Sequence, residues 1–153
     1  MFIDLDAITE GEWFPFRMST INPDTGETIW GEESSEAKVK IRSWKKFFED
    51  LFANRERIVE WKVHPKSKAN QKHENLKELT PEETIRQKID AVDYAILEWE
   101  GFKDKKSKKI IKCTKDTKNA MMGLDFFDRF FTECQVTIDS KKIESEKAQE
   151  KNL

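Results

Sequence analysis

The residues able to do nucleophilic, acid–base or metal chemistry are few and badly spaced. His64 and His73 lie 9 apart, and Cys113 and Cys134 lie 21 apart nearer the other end. A tetrahedral zinc site wants four soft ligands in short-range pairs such as C-x2-C or H-x3-H, because short loops preorganise the geometry. Neither pair has that spacing, so surface histidines and packed thiols are the simpler reading and no metal is expected. A Cys/His nucleophile pair would have to be assembled by the fold, and two of each residue give it little support. Glu98 and Glu100 flank Trp99, but residues two apart on a helix point in different directions. His73-Glu74 lacks the second histidine of a metalloprotease helix, and no G-x-S-x-G elbow exists. The five glycines (Gly11, Gly26, Gly31, Gly101, Gly123) form neither G-x-G-x-x-G nor G-x-x-x-x-G-K-[ST], which removes those phosphate-cradling loops. The expectation is a protein with no catalytic residue and no cofactor, and not an enzyme.

Charge is the second source of chemistry. Residues 1–36 hold nine acids against Arg17 alone, whereas 102–118 hold eight lysines against Asp104 and Asp116. The formal net charge of −2 therefore hides a dipolar chain, a pattern suited to docking or self-association. Lys105, Lys106, Lys108 and Lys109 are the candidate contacts of the basic segment. They could meet phosphates, but lysine outnumbers arginine 22 to 6 over the whole chain. Phe102, Phe126 and Phe127 follow core periodicity rather than forming a base-stacking platform. Nucleic acid accordingly takes the lesser place among partners.

Composition bounds the remainder. Charged residues make up 38% and the AVILMFWYC set 37%, against about 25% and nearly half in ordinary globular chains. Eleven Phe, five Trp and one Tyr supply the core that so polar a chain would otherwise lack, since each ring can bury about 150–250 Å². No apolar run approaches the roughly 20 residues of a membrane span. The acidic start MFIDLDAITEGE has no basic n-region and apolar h-region, so no signal peptide is expected. Two cysteines make no disulfide scaffold, and a reduced, intracellular setting is the simpler expectation.

These residues must be carried by a recognisable order of elements. Phe14, Phe16 and Met18 alternate, with Pro15 confining that strand to an edge. Asn22-Pro-Asp-Thr-Gly26 is a turn, with Pro23 presetting φ and Gly26 accepting positive φ. Thr28-Ile-Trp30 is the return strand, and after a polar link Val39 and Ile41 alternate on a third, giving an antiparallel β-meander over about 12–42. The period then changes: Trp44, Phe47, Phe48, Leu51, Phe52, Ile58 and Val59 share one helical face, with Ser43 placed to cap it, predicting a helix over about 43–61. Residues 63–79 read as a mobile basic loop. Thr80-Pro-Glu-Glu83 starts a helix over about 81–99, through a capping-box Thr and Pro at the first helical position, and Gly101 ends it. Thr114 caps a further helical region to about 138, either broken at Gly123 or continuous. Residues 139–153 read as a charged tail, disordered or a frayed helix. The fold class is α+β: a small N-terminal antiparallel β-meander followed by a mostly helical body, one domain over 1–138. Trp99, Ile89 and Phe127 are the expected core.

The aromatic stripes read first as core. Four aromatics on the 44–61 face and four phenylalanines within 126–131 nonetheless exceed what so small a domain easily covers, which opens the alternative of a groove for an amphipathic helix. Trp13, Phe126 and Phe130 are the candidate partner contacts.

A series of segments resembles a known family. Gly11-x-Trp13-Phe14-x-Phe16 precedes the β-rich part. It is followed by Asp93, Trp99-Glu-Gly101-Phe102-x-Asp104, Ile110, Cys113-Thr114, Asp116, Asn119 and Met122, and then by a Phe-rich helix and a charged tail. Over roughly 11–138 this is similar to the tail assembly chaperones of long-tailed bacteriophages, small proteins encoded ahead of the tape-measure protein. The resemblance implies a non-enzymatic role in the host cytoplasm: binding the long helical tape-measure chain, recruiting tail-tube subunits, and leaving before the virion is complete. The turn through Lys105-Lys-Ser107 after Asp104, one residue longer than the family's, and the longer Asn22–Gly26 hairpin keep open a neck or tail-completion component of the virion as the alternative.

Overall fold

The computed structural model describes residues 10–55, 57–63, 70–76 and 78–151. Strands β1 (Glu12–Ile21) and β2 (Thr28–Ile41) form a long hairpin, followed by helix α1 (Lys45–Asn54). Next come strands β3 (Arg57–Val63) and β4 (Asn70–Leu76), helix α2 (Pro81–Ala95), strand β5 (Ile96–Glu100), helix α3 (Lys115–Met122) and helix α4 (Asp125–Lys151). The fold is α+β. One antiparallel sheet has the order β1-β2-β5, and β3 and β4 pair as a separate two-stranded sheet.

The turn at Asn22–Gly26 forms for the reasons legible in its residues. Asn22 Oδ1 accepts from the Asp24 amide at 2.9 Å, the Gly26 amide donates to Asn22 O at 2.8 Å, and Gly26 has φ +72°. The return is a single 14-residue strand rather than two. The polar 32–36 stretch, expected as a link, is absorbed as a bulge: Pro15 opposes Lys38 while Arg17 opposes Glu33. Ser34 Oγ caps the excursion by accepting from the Ala37 amide at 3.0 Å. Bulging lets a strand carry extra residues without leaving the sheet.

The sheet's third strand therefore comes from elsewhere, and the predicted meander is corrected to a hairpin plus β5. Residues 96–99, expected as the last turn of a helix over 81–99, are extended. α2 begins as predicted, with Thr80 Oγ1 accepting from the Glu83 amide at 3.2 Å and Pro81 at its first position. It stops at Ala95, and Ile41 pairs with Ile96, Val39 with Trp99 and Lys38 with Glu100. The i, i+3 spacing of Ile96 and Trp99 suits a helix, but a register shift between them, with Lys40 opposite Glu98, turns both side chains to the same buried face of the strand. Gly101 thus follows a strand, not a helix.

Three further boundaries move. The helix predicted over 43–61 ends at Asn54, and 57–63 is a strand whose β-branched and aromatic residues pair with 70–76 inside the predicted loop. Trp44, not Ser43, is the N-cap, although Ser43 Oγ still accepts from the Lys45 amide at 3.3 Å. The 114–138 region breaks at Gly123, and the second helix runs on to Lys151 instead of yielding to a disordered tail. No Gly or Pro follows Gly123, and Lys, Glu, Ala and Gln are strong helix formers. Where the body ends, side chains hold this helix: Lys141 Nζ lies 2.6 Å from Glu12 Oε1 and Lys45 Nζ 3.5 Å from Asp139 Oδ2.

The core lies between the three-stranded sheet and one stripe of α4, where Phe127, Phe131, Cys134 and Ile138 recur at intervals of four and three and are buried with Val39, Ile41 and Ile96. Phe16 is the hub on β1, meeting Phe130 at 5.0 Å and Phe102 at 5.3 Å between ring centroids. Trp99 packs edge-on to Phe102 and donates from Nε1 to Ile111 O at 2.8 Å. Ile89 is only half-buried, so α2 contributes Ala91, Val92 and Ala95 to the interior instead. Among the described residues no helix is long and apolar enough to cross a membrane.

Candidate polypeptide-binding face

α1 is amphipathic in sequence yet buries none of its residues. Its inner stripe anchors it. Phe47 meets Tyr94 of α2 at 5.5 Å, and Trp44 at the helix start meets Phe131 of the core at 4.9 Å. Polar bonds fix the approach to the helix. Gln135, buried on α4, donates from Nε2 to Arg42 O at 2.9 Å and accepts from the Trp44 amide at 3.3 Å. Arg42 in turn donates from Nε to Tyr94 O at 2.7 Å and lies 3.7 Å from the centre of the Tyr94 ring.

The outer stripe is left open. Trp44 and Phe48 touch at 5.2 Å, but Phe48 is 40% and Phe52 58% exposed. With Lys45 and Glu49 they line a shallow depression of about 590 Å³. Ten helical residues span about 15 Å, enough to lie beside two to three turns of another helix. An apolar strip of rings at i, i+4, i+8, rimmed by one charge of each sign, can seat the apolar face of such a helix by ring burial.

The predicted contact residues fare differently. Phe130 is corrected: at 3% exposure it is core, wedged against Phe16, and no partner can reach it. Phe126 is half-buried and also packs on Phe16, at 6.1 Å. Trp13 is half-buried with Lys38 Nζ 4.6 Å from its ring centre, beside a cleft of about 420 Å³ that includes Ser34, Ser35 and Glu100. It makes no ring contact with Phe126 or Phe130 among the described residues. Lys105, Lys106, Lys108 and Lys109 stand exposed on a separate hairpin closed by the Lys103–Ile110 bridge. The open rings of α1 were part of the stripe visible in the sequence, but spacing alone reads such a stripe as core. Nothing local says that only its inner half finds a neighbour.

Both cysteine thiols are held toward their protonated form. Burial pushes the Cys113 thiol up, and burial, reinforced by Glu133 and Glu12, pushes Cys134 far above the ordinary thiol range. Near Cys113, buried Lys118 is satisfied by Asp93, with Nζ 3.0 Å from Oδ1 and 3.2 Å from the carbonyl oxygen. Among the described residues no group of three or more His, Cys, Asp or Glu side chains is placed to hold a metal ion. The Cys134 shift carries a stability prediction. Above the ordinary thiol value of 9.0 the unfolded chain releases this proton while the folded chain keeps it, so stability falls as pH rises. The slope from this one group approaches about 1.4 kcal/mol per pH unit. Denaturant titrations at stepped pH should show that component in the wild type and not in Cys134→Ala; equal slopes would refute it.

No protein-family model, curated protein or solved structure matches this chain.

Proposed function

We propose that this chain is a non-enzymatic assembly factor that holds an apolar helical segment of another polypeptide on the open face of α1. The observation that carries the reading is the strip of exposed Phe48 and Phe52, continued by half-buried Trp44, on a helix anchored by Phe47 and Trp44. A strip of rings facing water is a standing cost that a partner relieves. The motif series around Trp99-Glu-Gly101-Phe102 names the class of partner: by resemblance to tail assembly chaperones, a long helical tape-measure chain, with tail-tube subunits recruited to the complex in the host cytoplasm.

The test is co-expression with the long helical protein encoded downstream. The wild type should keep that partner soluble and co-purify with it. Phe48→Ala with Phe52→Ala should weaken the complex by about thirtyfold or more, since truncated aromatic anchors cost about 1–2 kcal/mol each. Neither ring is buried, so the double variant should unfold at nearly the wild-type midpoint. An intact complex in that variant, or no complex with the wild type, overturns the reading. Mass spectrometry of purified virions separates a transient chaperone, absent there, from a neck or tail-completion subunit, present there.

A further inference from the structure

Two charged patches lie outside α1. The first is the hairpin over 103–110. Lys103, Lys105, Lys106, Lys108 and Lys109 are exposed on it, and among the described residues none reaches a carboxylate within ion-pair distance. Asp104, its one acid, is engaged by the loop itself, with Oδ1 accepting from the Lys106 and Ser107 amides at 2.7 and 3.1 Å. Ile110 closes the hairpin at 71% exposure.

The second patch is the far end of the β1–β2 hairpin. Asp24, Glu27, Glu32 and Glu33 are exposed there, again with no ion pair among the described residues. Met18 and Ile29 lie on one face of this end and Ile21 on the other, each about half exposed. The nearby cations are occupied: Arg17 Nε donates to Gly31 O at 3.1 Å with its guanidinium 5.5 Å from the Trp30 ring centre, and Arg129 donates to Ser19 Oγ and O at 2.7 and 2.9 Å.

Like charges gathered on one loop repel, and each patch also leaves aliphatic surface in water. We propose that the chain self-associates head to tail, the 103–110 hairpin of one copy docking on the acidic 24–33 end of the β1–β2 hairpin of the next. Charge and apolar surface are both complementary: lysines meet carboxylates, and Ile110 meets the Met18 and Ile29 face. A nucleic-acid backbone would take the lysines but offer Ile110 nothing, and the hairpin carries neither arginine nor an exposed ring for bases to stack on. Because the two patches differ, the contact is heterologous and propagates into a ring or an open filament. Its rim charges make it salt-dependent.

Sedimentation velocity on the full chain tests this. At about 50 mM salt the wild type should associate as concentration rises, and at about 500 mM it should return to monomer. Lys105, Lys106 and Lys109 changed together to Glu should give a monomer, as should Glu27, Glu32 and Glu33 changed together to Lys. An equimolar mixture of the two variants should associate again, because each supplies the patch the other needs. Ile110→Ser alone should weaken association by roughly tenfold, and it keeps the proposal testable if a triple variant fails to fold. The α1 double variant should associate like the wild type, so failure here is distinct from failure of helix binding. A wild type that stays monomeric at low salt overturns the proposal, whether or not it then binds a DNA duplex. So do variants that still associate, and folded variants whose mixture stays monomeric.

Discussion

Phe127→Ala should destabilise the protein by about 3–5 kcal/mol, the range for emptying a fully buried aromatic site. Its ring is wholly inaccessible and touches four others: Phe16, Trp99, Phe102 and Phe130 lie 6.1–6.2 Å away between centroids. These neighbours come from β1, β5, the segment after β5 and α4, so no single element can relax to fill the space. The lost ring removes transfer free energy and leaves a cavity whose lining forfeits dispersion contacts. Against a total of roughly 5–15 kcal/mol for a domain of this kind, the variant should be near the edge of folding at physiological temperature. Urea unfolding followed by Trp fluorescence gives the measurement. A loss below about 1 kcal/mol would mean that the cluster is not packed as described. Phe52→Ala, on the open face of α1, is the control and should change stability little.

Gly101→Ala should be the most damaging substitution of a glycine. Its φ is +84°, and an added Cβ would sit 2.2 Å from Glu36 O and 2.8 Å from Ala37 Cα. Both are backbone atoms of the bulged part of β2, which cannot step aside without breaking the Lys38–Glu100 pairing beside it. Left-handed backbone costs about 1–2 kcal/mol for a residue with a Cβ, and the overlap adds to that, for a total of about 3 kcal/mol or more. Gly26→Ala separates the two contributions. Its φ is +72°, but nothing lies within 4 Å of the added carbon, so it should lose only the conformational part. Equal losses at the two positions would show that the close approach to β2 is not what Gly101 provides.

Local chemistry made much of the fold readable. The Asn22–Gly26 turn, the Thr80-Pro81 helix start and the Thr114 cap need only neighbouring atoms: an amide two or three residues on, a preset φ, a missing Cβ. The same holds for Phe127, Phe131, Cys134 and Ile138, whose spacing puts them on one stripe of any helix they occupy. Ile96 and Trp99 show where this stops. Their spacing fits a helix face, yet a bulged strand places both against the core once β2 offers an unpaired edge. That edge is 55 to 62 residues away in sequence, and no window around Trp99 contains it. Residues 57–63 and 70–76 became strands for the same reason, each completed by the other.

The candidate site divides in the same way. Composition raised the alternative that a small core leaves some rings uncovered, and spacing put Trp44, Phe48 and Phe52 in line. Both are properties of the chain alone, since they depend on residue type and helical period. Which rings end up inside was decided by packing. Phe130 and Phe48 look alike in sequence, but α4 lies across the sheet and seals Phe130, whereas α1 is tied down along one stripe and leaves Phe48 in water. Burial is a relation between distant segments, and only their assembly in three dimensions assigns it.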